Sequence, residues 1–141
     1  AGAALEIDLR IEQPLAAQLF WDKGDGINEA DSLRQKYEPH PALQTLRFPL
    51  PVGPLKGLRF DPLDGDSKLI VRGLRIVDTT ERTLAVLPLN SLQPQYQIAN
   101  CTVADGLLTV QTTKGAKDPI LDFTPESLLK INEALRAGNT Q

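Results

Sequence analysis

Short stretches in which every second residue is apolar constrain this chain more than any other feature. The clearest runs over residues 5–11, where leucine and isoleucine alternate with charged residues. This is the period of a strand with one buried face. Further strand-like runs occur at 16–22, 32–37, 43–50, 82–89, 98–103, 107–113 and 120–123, separated by turn residues. No helical period occurs before residue 124, so the pattern predicts antiparallel sheets rather than a parallel α/β fold.

The central stretch from Leu55 to Val77 holds two of the strand patterns. Leu58 and Phe60 alternate with charged residues in the first, and the second carries apolar residues up to Gly73 and beyond it. The residues between them, 61–67, are rich in aspartate, with one proline and one glycine, which is turn chemistry. The pattern predicts a core hairpin, with a bulge at Gly73 where the alternation breaks.

The last segment changes to a helical period. Thr124 and Pro125 are typical of an N-cap and a first helical position, apolar residues follow at helical spacing, and Gly138 is the predicted end. The predicted fold is therefore all-β: an antiparallel β-sandwich of jelly-roll type over residues 1–123. A C-terminal α-helix and tail occupy 124–141.

Charge and cysteine content exclude several classes of function. With 15 basic residues against 18 acidic ones, the net charge is −3, and no basic footprint for nucleic acid is present. Cys101 is the only cysteine, which rules out an internal disulfide and a cysteine-based zinc cluster. A small buried apolar residue is the expected role for it.

The sequence offers little to catalysis. His40, the only histidine, lies between two prolines in a predicted turn, and a general base would need an orienting partner and a nucleophile beside it. No nucleotide-binding glycine loop, zinc-protease motif or hydrolase nucleophile motif occurs. We therefore predict that the domain is not an enzyme and holds no cofactor.

Acidic residues cluster in two predicted loops, and carboxylates of this kind can bind a hard cation. Asp61, Asp64 and Asp66 form one cluster, and a second lies at residues 22–31. Calcium takes six to eight oxygen ligands, but neither cluster has the EF-hand spacing. Aspartate and asparagine also favour turns for their own local hydrogen bonds, so no metal is predicted.

The second loop is the candidate ligand-binding surface. Trp21 stands at its entrance, and an aromatic face beside polar groups is typical of sites for small polar ligands such as sugars. The candidate residues are Trp21, Asp22, Asp25, Asn28, Glu29 and Asp31. An alternative remains open: if the row of Ala17 and Leu19 faces inward, Trp21 belongs to the core.

Three segments carry a family resemblance: AQLFWDKGDGINEADSLR at 17–34, FPLP at 48–51 and LRFDPLD at 58–64. They resemble the extracytoplasmic β-sandwich domain of bacterial multi-spanning membrane glycosyltransferases and related cell-surface polysaccharide proteins. Those domains are similar to galactose-binding-like jelly rolls and carbohydrate-binding modules. Trp21 stands where tyrosine is more usual in that pattern.

The resemblance implies a non-catalytic accessory domain, with any activity in membrane-embedded parts of a parent protein. It implies carbohydrate as a partner and a location on the periplasmic or extracellular face of a bacterial inner membrane; binding at the Trp21 loop should be weak, because few aromatic residues are available. The C-terminal helix would then suit a connector toward the membrane. The alternative is a structural or protein-interaction sandwich that binds no sugar.

Overall fold

The computed structural model of the chain describes residues 2–13, 15–62 and 65–139. The predicted place of Asp64 in an acidic turn lies outside them. The strands of this part are β1 (Ala4–Ile11), β2 (Leu15–Asp22), β3 (Ser32–Tyr37), β4 (Gln44–Pro49), β5 (Gly57–Asp61), β6 (Lys68–Val77), β7 (Thr83–Val86), β8 (Leu92–Tyr96), β9 (Ile98–Ala104), β10 (Leu107–Thr112) and β11 (Ile120–Phe123). A 3-10 turn covers Leu89–Ser91, and the helix α1 covers Pro125–Asn139.

The strands of the described residues form two antiparallel sheets. Sheet A has the order β4-β1-β6-β10-β9, with β7 also paired to β6. Sheet B has the order β3-β2-β5-β11-β8. The prediction of an antiparallel all-β sandwich with a C-terminal helix is confirmed.

The two sheet orders match position by position because the chain crosses from one sheet to the other in pairs of strands. We call these pairs arms: within the described residues they are β1–β2, β3–β4, β5–β6, β8–β9 and β10–β11. Two arms that are neighbours in one sheet are therefore also neighbours in the other sheet. The sandwich is thus a five-arm ribbon bent across its middle.

The core lies inside this bend. The apolar row of β1 at Leu5, Ile7, Leu9 and Ile11 is at most 1% exposed, as the alternation predicts. From the opposite sheets, Phe48 of β4 and Phe60 of β5 meet edge to face, with ring centroids 6.1 Å apart. Aromatic pairs in this geometry add to the free energy of simple burial.

The predicted hairpin between residues 55 and 77 is wrong. Leu58, Phe60 and the apolar row of β6 are buried as expected, but β5 belongs to sheet B and β6 to sheet A. The chain therefore crosses from one sheet to the other between these two strands instead of pairing them as a hairpin. Alternation reports which face of a strand is buried, and it is the same for a hairpin and for an arm.

Two other expectations need correction. The sequence predicts an irregular segment over residues 90–95, but residues 92–96 form β8, whose Pro94 is tolerated because β8 is at the edge of sheet B. Gly138 does not end the helix, which continues to Asn139. A Cβ at Gly138 would lie 3.1 Å from Leu84 Cδ1, so glycine lets the helix approach β7.

The start of the helix follows the prediction. Thr124 Oγ1 accepts a hydrogen bond from the Ser127 amide at 3.1 Å, as an N-cap does. Further along α1, Asn132 exchanges two hydrogen bonds with the backbone of Leu55, at 2.8 and 2.9 Å. The helix is therefore fixed to the sandwich by a polar clamp as well as by its buried Ile131 and Leu135.

The outer face of sheet A carries an ion network across three strands. Glu6, 7% exposed, lies between Arg47 of β4 and Arg75 of β6, with N···O distances of 3.1 and 2.9 Å. Arg75 also pairs with Asp8 at 2.6 Å. Burial opposes ionisation of Asp8, but hydrogen bonds from Arg75 and Thr45 outweigh it and lower its pKa.

The bulge predicted at Gly73 makes room for this network. The β1–β6 register runs from Asp8↔Gly73 to Leu9↔Val71, so Arg72 is the additional residue. A Cβ at Gly73 would lie 3.0 Å from Asp8 Oδ2, the oxygen that accepts the short bond from Arg75 Nη1. A side chain here would push the Asp8 carboxylate out of place.

Phe60→Ala should lower the free energy of unfolding by about 3–5 kcal/mol, because it opens a cavity at the contact between the sheets. Chemical denaturation measures the loss. Val86→Ala is the control, since Val86 is 70% exposed and should cost less than about 0.5 kcal/mol. A loss below about 1 kcal/mol for Phe60→Ala would contradict its central place in the core.

Gly73→Ala should destabilise the protein by about 1–2 kcal/mol by displacing the Asp8 carboxylate. The same substitution in an Asp8→Ala background should cost less, because the close contact is gone. Denaturation of the wild type, both single variants and the double variant gives the coupling, which we expect to exceed about 0.5 kcal/mol. Simple additivity would mean that Gly73 serves the bulge alone.

Candidate functional site

The candidate loop, residues 22–31, joins β2 to β3 at one end of sheet B. The two strands pair up to Phe20↔Ser32, and the Trp21 amide donates to the Asp31 carbonyl at 3.0 Å to close the loop. Two of the predicted site residues, Trp21 and Asp22, end β2, and the other four lie on the loop that follows. What distinguishes them is how their polar groups are used.

Asp22 organises the first half of the loop. Its Oδ1 accepts hydrogen bonds from the amides of Gly24 at 2.7 Å and Gly26 at 2.9 Å. Both glycines have positive φ, 129° and 85°, which L residues rarely adopt. The Asp22 carbonyl also accepts from the Lys56 amide at 2.7 Å, so this residue ties the loop to the segment before β5.

Asn28 and Asp31 organise the second half of the loop. Asn28 Oδ1 accepts from the Asp31 amide at 3.1 Å, and its Nδ2 donates to Asp31 Oδ2 at 3.5 Å. This is the local side-chain capping that makes asparagine and aspartate frequent in turns. It directs the polar atoms of both residues toward each other.

Glu29 is held by the outer face of sheet B. Its Oε2 accepts from Gln18 Nε2 at 2.8 Å, and Gln18 is 6% exposed. Gln18 also donates to Ser32 Oγ at 2.9 Å and accepts from Arg34 at 3.1 Å. Glu29 is therefore part of a hydrogen-bonded network between β2 and β3.

Trp21 and Asp25 are the candidate residues whose side chains make no hydrogen bond with the described residues. Trp21 lies on the same side of β2 as the buried Ala17 and Leu19, packs against the core and stays partly exposed. Asp25 is exposed at the tip of the loop, and its side chain makes no hydrogen bond or ion pair with the described residues. Trp21 therefore fits both interpretations in part: its indole packs at the edge of the core, and one part of it remains exposed to a ligand.

A second polar cluster, on the outer face of sheet B, escaped the sequence analysis. Arg59 lies 4.7 Å above the Phe20 ring and makes two 2.8 Å hydrogen bonds to Asp61. Burial raises the pKa of Asp61 despite these bonds, and it raises that of Asp122 as well. Ion pairs that serve the structure also shift pKa values. This pair lies within β5, and the Arg59 guanidinium contacts the neighbouring β2 through the Phe20 ring.

A cleft on the outer face of sheet A also escaped the sequence analysis. It encloses about 530 Å³ between the 41–43 loop and the 105–107 turn, over Ile70, with Arg10 and Arg72 among its walls. These segments are distant in sequence, so no local sequence pattern predicts that they lie side by side. Beside the cleft, His40 Nδ1 accepts a hydrogen bond from the Ala42 amide at 3.0 Å, so this imidazole stabilises a turn.

Within residues 2–13, 15–62 and 65–139, no group of three or more histidine, cysteine, aspartate or glutamate side chains is arranged to hold a metal ion. In the same part of the chain, no helix is long and apolar enough to cross a membrane.

Comparisons with family models, with curated proteins and with solved structures found no match. The finer assignment to galactose-binding-like jelly rolls therefore remains a prediction.

Asp22→Ala should lower the free energy of unfolding by about 1–2 kcal/mol, because two loop amides lose their acceptor. Asp25→Ala is the matched control in the same loop and should change it by less than about 0.5 kcal/mol. Denaturant titration compares the two variants. Equal effects would contradict the role of Asp22 as the organiser of the loop.

Proposed function

We propose that this chain is a non-catalytic accessory domain of a larger bacterial membrane protein that handles cell-surface carbohydrate outside the cytoplasm. Within that protein it serves as a packing and interaction domain. The β-sandwich architecture and the resemblance of residues 17–34, 48–51 and 58–64 support the proposal.

One observation favours an interaction role over sugar binding: the candidate loop uses its polar groups internally. Asp22 caps two glycine amides, Asn28 and Asp31 bind each other, and Glu29 joins the Gln18 network. A sugar site needs acceptors and donors that point outward and converge, because each hydroxyl must regain the hydrogen bonds it leaves in water. In this loop, hydrogen bonds inside the protein already fix the side chains of Asp22, Asn28, Glu29 and Asp31, so these side chains are oriented by the loop and by sheet B.

The same reasoning supports the absence of catalysis. The imidazole of His40 accepts an amide hydrogen bond in an exposed turn. Burial raises the pKa of the Cys101 thiol, and a raised pKa leaves less of the reactive thiolate. Nucleophilic catalysis needs the opposite: an activated nucleophile beside an oriented base.

Weak carbohydrate binding at Trp21 is the second candidate, and the partial exposure of its indole is what favours it. The ring could cover one apolar face of a sugar while Asp25 accepts from a hydroxyl, a common division of labour in small-ligand sites. With one aromatic face and one free carboxylate, such binding would be no tighter than roughly millimolar.

An NMR titration with bacterial surface oligosaccharides tests both candidates. We expect no saturable shifts at residues 21–31, because the loop offers few free polar groups. Trp21→Ala and Asp25→Asn are the diagnostic variants, and Tyr96→Ala is the control, since Tyr96 is an exposed aromatic on another strand. Saturable shifts that Trp21→Ala abolishes and Tyr96→Ala preserves would overturn the interaction role in favour of sugar binding.

A further inference from the structure

The free edges of the two sheets differ in how they are protected against pairing with another chain. An edge strand exposes unpaired amides and carbonyls, and proteins block it with charged residues, proline or a covering element. Among the described strands, β3 carries Arg34 and Lys36, β4 carries Arg47 and Pro49, and β8 carries Pro94. The helix α1 packs on β7.

The edge strand β9 has none of these protections. It lies at the end of sheet A, and its sequence IANCTVA contains no charged residue and no proline. Five of its seven residues are exposed in the burial pattern of the strand. An uncharged edge of this kind is a template for an added strand, and the one register shift of β9 against β10, at Ala99, lies near the far end of the strand from the hairpin turn.

The backbone groups available on this edge follow from the β9–β10 hairpin. Its two-residue turn, Asp105-Gly106, has φ of 54° and 74°, and Ala104 pairs with Leu107 beside it. In such a hairpin the pair beside the turn is hydrogen bonded, and hydrogen-bonded pairs then alternate with non-bonded ones. The amides and carbonyls of Val103 and Cys101 therefore point away from β10, to the free edge.

Val103 adds an apolar side chain to the same edge. It lies opposite Leu108, which is 1% exposed, so it belongs to the row that faces the core. Val103 is nevertheless 47% exposed, because no further strand covers it. An added strand would bury this side chain and satisfy the four edge groups together.

We propose that β9 pairs antiparallel with β9 of a second copy of this chain, about a twofold axis at Thr102. Cys101 of each copy then exchanges hydrogen bonds with Val103 of the other, which uses all four outward groups. Thr102 faces Thr102 across the axis as a non-hydrogen-bonded pair, the closer of the two pair types. The two copies of sheet A become one continuous sheet.

The strand's own chemistry makes a second copy the fitting partner. Antiparallel pairing about Thr102 sets Asn100 opposite Ala104, and Asp105 opposite Ala99, so no like charges meet. The symmetric arrangement needs no other sequence, since each copy supplies the donors and acceptors that the other lacks. The inference names a partner for the interaction role proposed above, and it uses no residue of the candidate loop.

Sedimentation velocity over a concentration series, under reducing conditions, should show a reversible monomer–dimer equilibrium for the wild type. Thr102→Lys and Thr102→Glu should each weaken the dimer by at least tenfold, because like charges would face each other at the axis. An equimolar mixture of the two variants should restore a heterodimer, since the opposed charges then attract. Thr109→Lys is the control: the same residue type on the same face, one strand further in.

A wild type that stays monomeric at all concentrations would overturn the inference. So would a dimer that both Thr102 variants leave intact, because its interface would lie elsewhere. Circular dichroism of each variant confirms that a lost dimer is not a lost fold. The sugar titration addresses residues 21–31 separately, so either proposal can fail without the other.

Discussion

Burial of one side-chain row from each arm inside the bent ribbon is the constraint on which the rest of the structure depends. Each arm runs through both sheets. If the pairing of one of its strands shifts by one residue, either the segment between its two strands must change length or the other strand must shift as well. The Phe48–Phe60 contact joins the two halves of the ribbon at a point where such a shift would place polar residues inside. The core therefore fixes register in both sheets together.

The charged network outside sheet A reinforces the same register. Glu6 and Asp8 point away from the core on β1, and Arg47 and Arg75 reach them from the strands on either side. Half-buried ion pairs add little net stability when desolvation is counted, but a pairing shifted by one residue would leave these charges without partners. The network thus destabilises wrong registers more than it stabilises the native one. It requires glycine at position 73, because a Cβ there would lie 3.0 Å from Asp8 Oδ2.

Local chemistry could be predicted from the sequence, and pairing between distant segments could not. The inner row of β1, the bulge at Gly73 and the Thr124 cap each rest on a few neighbouring residues. The sequence predicts a hairpin where β5 and β6 form an arm, because alternation does not show which sheet a strand joins. β8 was missed because Pro94 argues against a strand unless its edge position is known.

The candidate site divides along the same line. Adjacency in sequence is enough to group the candidate residues Trp21, Asp22, Asp25, Asn28, Glu29 and Asp31. It does not show which of their polar atoms are already hydrogen bonded within the protein. Gln18, a strand residue with no special pattern, turns out to bind Glu29, and Lys56 from another segment binds the Asp22 carbonyl. The cleft between Arg10 and Arg72 depends on loops far apart in the chain, so only the fold could bring it together.

If the two proposals hold, polarity is a poor guide to where this protein meets other molecules. The acidic loop attracts attention because it is rich in carboxylates, yet most of those groups hold turns together. The strand β9 attracts none because it is uncharged, yet it leaves backbone donors and acceptors unpaired at the edge of a sheet. For backbone pairing, the absence of charge is the favourable feature, since each charged side chain beside an edge must be desolvated or matched by the incoming strand. Surfaces that bind through the backbone therefore have to be sought where side-chain chemistry is plainest.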